Sequence, residues 1–93
     1  MKVKIKIAGM VDRKLVNRVL EVEPEKEPIS IEELFDYLDR KQELGKKFFK
    51  KMLRLPSPPV LLLNGENMDL KEGLKQKLSD GDEISLIMPM AGG

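Results

Sequence analysis

Residues 2 to 8 alternate charged and apolar side chains, with Lys2, Lys4 and Lys6 set between Val3, Ile5 and Ile7. A period of two turns one set toward a core and the other toward water, so this segment predicts a first strand. Gly9 and Met10 to Lys14 predict a turn, and Leu15 to Val22, rich in β-branched and apolar residues, predicts its hairpin partner with Leu20 and Val22 facing inward. Glu23 to Pro28 sets two prolines among glutamates and suits an exposed connection. A helix start follows: Ser30 as N-cap, Glu33 completing a capping box, and Ile29 placed to staple against Leu34. Ile31, Leu34, Phe35 and Leu38 mark one apolar face at helical spacing. The helix is expected to break near Gly45, with Leu44, Phe48, Met52 and Leu55 continuing as a second helical piece that Pro56, Pro58 and Pro59 stop.

Val60 to Leu63 is a continuous apolar run, which predicts an interior strand buried on both faces, and Asn64 with Gly65 supplies the turn after it. Leu70, Leu74 and Leu78 have helical spacing, while Asp80 and Gly81 form a tight turn into a last strand, Glu83 to Met88. The predicted core is Val3, Ile5, Ile7, Leu20, Leu34, Leu38, Ile84 and Leu86; alternation then sends Ser85 and Ile87 to the opposite face. A hairpin, a helix across it and two further strands with the last one central is an α+β, β-grasp order: a mixed sheet of four to five strands with one main helix packed across it. A ferredoxin-like arrangement of the same elements is the alternative.

The length of 93 residues fits a single domain, 1–93, with one modest core. Cysteine and histidine are both absent, which removes disulfides, thiolate nucleophiles, Cys/His zinc sites and the commonest general base at neutral pH. Side-chain catalysis is therefore not expected, and the chain is no enzyme on its own. The alternating N-terminus lacks the apolar run of a signal peptide and no stretch reaches membrane-spanning length, so a cytoplasmic location and no membrane partner are expected.

Net charge is +1, from 17 basic and 16 acidic residues, which argues against nucleic acid as a partner chosen by overall charge. The distribution is uneven. Between Glu21 and Asp36 seven acids accompany only Lys26, and between Arg40 and Arg54 seven bases accompany only Glu43. The plain reading is two solvated faces. With aromatics at 4% of the chain, the basic stretch lacks the stacking platform of single-strand binders.

The chain ends Ile87, Met88, Pro89, Met90, Ala91, Gly92, Gly93. At a glycine usage near 7%, a terminal pair arises by chance in roughly 0.5% of sequences, so the pair is read as a working end rather than a frayed one. Asn64 and Gly65 after an apolar strand, a Leu before Asp80-Gly81-Asp82-Glu83, an apolar strand, Pro89 and the terminal Gly92 and Gly93 together resemble the ubiquitin-like sulfur carriers, the small subunit of molybdopterin synthase and the sulfur carrier of thiamine biosynthesis. The resemblance is close over roughly the last third and rests on element order elsewhere. It implies that the Gly93 carboxylate, following Gly92, is adenylated by an ATP-using partner of the E1-like adenylyltransferase kind. A sulfur donor enzyme then converts it to a thiocarboxylate, and a client synthase, of the molybdopterin large-subunit or thiazole synthase type, takes the sulfur. ATP belongs to the partner, and no cofactor is expected on this chain.

The residues agree with that chemistry. An α-carboxylate, with a pKa of about 3.3 to 3.7, is an anion at neutral pH and a poor electrophile until activated. Two glycines lack side chains and can thread a narrow channel into a partner's active site. Ile87, Met88, Pro89, Met90 and Ala91 are the expected partner contacts, Met88 and Met90 being read as contact residues on a tail beyond the sheet.

The client pathway stays open. Molybdopterin-type subunits carry a Phe and Arg motif between the first two strands and a Pro-Pro pair before the tail, whereas here that connection is short and Met88 precedes Pro89; thiamine-type carriers lack an insertion like Leu44 to Pro59. Transfer RNA thiolation, cysteine synthesis and protein modification stay open as alternatives to the two cofactor pathways. Asp80, Asp82 and Glu83 lack calcium-loop spacing and are read as a plain turn, with no metal site. Gly65 and Gly73 are not followed by the Lys and Ser or Thr of a phosphate loop. The alternative function is a β-grasp interaction module, or a ubiquitin-like protein modifier, with no part in sulfur transfer.

Overall fold

The computed structural model describes residues 1–11 and 13–88. Its strands are β1 (Val3–Val11), β2 (Lys14–Val22), β3 (Val60–Leu63), β4 (Glu66–Met68) and β5 (Glu83–Ile87), and its helices are α1 (Ile31–Lys41), α2 (Phe48–Leu53) and α3 (Leu70–Leu74). The five strands form one sheet in the order β2-β1-β5-β3-β4. β5 lies at the centre, parallel to β1 (Ile5 opposite Ile84, Ile7 opposite Leu86) and antiparallel to β3 (Leu61 opposite Leu86). This is the mixed β-grasp sheet that the element order implies.

Alternation along each strand divides the sheet into two faces. Val3, Ile5, Ile7, Leu61, Ile84 and Leu86 are buried with the helices, beside Ile31, Leu34, Phe35 and Leu38 of α1. Leu20 and Val22, on the outermost strand, are only half-buried because no helix covers that edge fully. Val60 corrects the expectation of a strand buried on both faces: it is 40% exposed, since among the described residues no element covers the outer face of the sheet where it points.

α1 begins as its sequence dictates. The Ser30 hydroxyl accepts from the Glu33 N–H at 3.1 Å while the Glu33 carboxylate accepts from the Ser30 N–H at 3.0 Å, and Ile29 and Leu34 are both buried. Lys26 and Lys77 also pair with Glu33. The Lys26 ammonium, the Ser30 N–H and the Ser30 hydroxyl together lower the Glu33 pKa to about 2.

The helix stops at Gln42, which adopts the left-handed conformation (φ 55°), three residues before the expected break at Gly45. The second piece is the six-residue α2, whose buried side chains are Phe49 and Met52 rather than Phe48 and Met52. Its N-cap, Lys47, supplies no side-chain acceptor. Asp39 of α1 takes that role instead, its carboxylate accepting from the N–H groups of Phe49 (2.9 Å) and Lys50 (3.1 Å). That link sets the Phe49 ring parallel to Phe35 at a centroid distance of 4.5 Å, an arrangement worth about 0.5–1.5 kcal/mol beyond the area it buries. The 44–59 insertion is thereby tied into the core.

Asn64 (φ 52°) and Gly65 (φ 85°) make a two-residue hairpin turn, and the short edge strand β4 follows it. Leu78 lies past the end of α3 yet reaches the core, because its N–H donates to the Ile29 carbonyl at 2.9 Å and draws residues 76–78 alongside the start of α1.

Candidate functional site

The central strand leads straight to the C-terminal segment, and its last described residue has a defined seat. The Met88 N–H donates to the Ala8 carbonyl at 2.8 Å, prolonging the β1–β5 ladder by one step. Its side chain turns inward, with 1% of the residue exposed. Met88 is thus a core residue and not the surface contact expected from its place beyond the strand: Gly9, with φ 128° and no Cβ, leaves the space that it fills. Gly9 is in turn not the start of a turn. β1 runs through it to Val11, and Arg13 (φ 66°) belongs to the connection to β2.

Ile87 points the other way and is 43% exposed. Across the outer face it stands between Ala8 of β1 and Val60 of β3, while Leu15 and Val19 of β2 are exposed farther along the same face. The result is a short apolar row of Val60, Ile87 and Ala8 that ends at Asn17 of β2, beside the start of the tail and on a sheet face that no helix covers among the described residues. Period-two reading places Ile87 here, but only the register between strands brings Val60 and Ala8 to it. Pro89, Met90, Ala91, Gly92 and Gly93 lie outside the described residues.

The residues that carry the family resemblance in the last third act on the start of β5. The Asn64 side chain donates to Asp82 Oδ1 at 3.0 Å and accepts from the Glu83 N–H at 2.8 Å, while the Asn64 N–H donates to the Glu83 carbonyl at 2.8 Å. Asp82 Oδ2 accepts from the Ser79 N–H, and Asp80 Oδ1 accepts from the Lys2 N–H. These carboxylates are engaged in holding turns, and among the described residues no cluster of acids is arranged to hold a metal. The Asn64 and Asp82 contacts fix where β5 starts.

Among the described residues no helix is long and apolar enough to cross a membrane.

Comparison with known proteins agrees with this architecture. The molybdopterin-converting factor of Helicobacter pylori 26695, solved as a complex of its subunits 1 and 2, includes a chain that superposes with a TM-score of 0.58 at 25% identity, covering 100% of both chains. SAMP1 from Haloferax volcanii shares the fold at a TM-score of 0.64 and 21% identity over 100% of both chains. Urm1 from Trypanosoma brucei does so at 0.62 and 19%, over 99% of this chain and 95% of its own. No curated protein matches the sequence at a significant level. The family model of the ThiS family matches residues 11–93, from the end of β1 through both terminal glycines, and the chain therefore belongs to the ThiS family of ubiquitin-like sulfur carriers.

Proposed function

We propose that this chain is a single-domain carrier that works in the cytoplasm and holds sulfur on the main-chain carboxylate of Gly93. The observation that carries the reading is the family match running through Gly92 and Gly93, joined to a fold whose central strand leads into that segment. In the first step a Gly93 carboxylate oxygen attacks the α-phosphorus of ATP held by an E1-like partner, and pyrophosphate leaves. A hydrosulfide-equivalent from a sulfur donor enzyme then attacks the acyl carbon; a C–S bond forms, the C–O bond to AMP breaks, and a thiocarboxylate remains. The chain contributes the acyl group and its presentation, while ATP is bound and spent by the partner.

The two subunits solved together in the Helicobacter pylori factor support a client of the synthase large-subunit kind, with a thiazole synthase as the counterpart in thiamine biosynthesis. The outer-face row around Ile87, beside the root of the tail, is the docking surface for such partners, with Pro89, Met90 and Ala91 as the stretch that follows it into the partner's channel.

The deciding experiment is the intact mass of the protein after incubation with the activating enzyme from the same genome, ATP and a sulfur source. A mass gain equal to one sulfur-for-oxygen exchange is expected. An unchanged mass with an active partner overturns this reading in favour of a β-grasp interaction module.

A further inference from the structure

The helix-side end of the β1–β2 hairpin meets the insertion in a hollow of about 300 Å³. Val11, Val16, Leu44 and Phe48 line it with apolar surface, and Lys14, Lys46 and Lys51 stand at its rim. Lys47 and Lys50 are exposed on the neighbouring turn and helix. Among the described residues none of these five lysines forms a salt bridge, although carboxylates elsewhere engage Lys2, Lys6, Lys26 and Lys77. The hollow also adjoins the root of the tail, because Val16 is the cross-strand partner of Gly9, on which Met88 sits.

From this geometry we propose that the hollow seats an acidic segment of the activating partner, one that presents an apolar side chain flanked by carboxylates. The proposal rests on Gly93 being the group acted on. Gly93 is five residues beyond Met88 in the sequence, and five residues can span at most about 18 Å, so an enzyme holding the Gly93 carboxylate must lie across this end of the fold. The lysines are complementary to an acidic face and would speed its approach as well as fix its orientation. RNA is the weaker occupant, since Phe48 is half-buried and no other aromatic lines the hollow to stack a base. The insertion supplies Leu44, Lys46, Phe48 and Lys51, so this contact distinguishes the chain's own partner from those of carriers without it.

The test is steady-state adenylation of the intact protein by the activating enzyme from the same genome, followed by ATP–pyrophosphate exchange at several salt concentrations. The double change Lys46→Glu and Lys51→Glu should raise KM for the carrier roughly tenfold at low salt, leave kcat unchanged, and lose most of its effect as salt rises. Lys46→Arg with Lys51→Arg should behave as wild type, and thermal unfolding should confirm that both variants are folded. Equal KM values for wild type and the glutamate variant, or a difference that salt does not change, overturn the proposal alone. Wild-type protein that is never adenylated removes the Gly93 reading and this proposal with it. A uridine-rich RNA oligomer that binds wild type but not the glutamate variant at physiological salt replaces the acidic protein segment by nucleic acid and overturns the proposal.

Discussion

Met88 is packed on the bare backbone of Gly9: a Cβ at Gly9 would lie 2.7 Å from the Met88 Cβ and 2.5 Å from its carbonyl oxygen. The positive φ of 128° at Gly9 adds backbone strain for any other residue. Gly9→Ala should therefore destabilise the protein by about 1–3 kcal/mol, read by urea unfolding. It should also displace the root of the tail, so that adenylation falls at temperatures where the variant remains fully folded. Wild-type stability in Gly9→Ala would show that Met88 has room to move, and would remove this anchor.

Ile87 and Met88 are neighbours with opposite fates, which gives a paired test. Ile87→Asp adds charge to a side chain that is 43% exposed on the outer face, so the domain should still fold while binding to a client or activating partner weakens roughly tenfold or more. Met88→Asp buries a charge in the core and should unfold the domain. Isothermal titration on the first variant and circular dichroism on the second separate the two roles, and full partner affinity in Ile87→Asp would count against the outer face as a docking surface.

How much of this was legible in the sequence depends on the range of the interactions concerned. Ser30, Glu33, Ile29 and Leu34 lie within six residues of one another, and the helix start they encode forms as read. Likewise, the strict alternation of Val3, Ile5 and Ile7 encodes one face without reference to anything else. Gly9 and Met88 were misread because their meaning is mutual. A glycine after an alternating run looks like a turn until a residue 79 positions away is seen to occupy the space over it. The cap on α2 was invisible for the same reason, since Asp39 reaches Phe49 only once the chain has reversed at Gln42. Val60 reads as core by composition, and it is exposed because none of the described helices lies on its side of the sheet.

Glu33 supplies a dependence on pH. Its folded pKa of about 2 lies below that of an ordinary carboxyl, near 4.5, so its ionised form is favoured by folding. The stability it contributes is present above the unfolded value and is lost as pH falls toward 2. Its lysine partners, Lys26 and Lys77, are largely in water, so the effect should be modest and reduced by salt. Wild type should therefore melt above Glu33→Gln at pH 7, with the gap closing between about pH 4.5 and 2. A gap that stays constant over that range would mean that the charge on Glu33 contributes nothing.

The functional reading turns finally on Gly93. If the group activated is the main-chain carboxylate, deleting Gly93 draws the reacting carbon back by one residue, about 3.5 Å. Misplacement by about 1 Å can cost on the order of 100-fold in rate, so the deletion should abolish adenylation and sulfur transfer. Adding one Ala overshoots the same site and puts a Cβ where the channel expects none, with the same outcome. Neither change touches the residues that build the core, Val3 to Met88, and both variants should keep the wild-type melting temperature. Intact mass reports the thiocarboxylate directly, and complementation in cells reports the pathway. Full activity in either variant would mean that Gly93 does not bear the sulfur, and the fold would then be serving as an interaction module through its outer face.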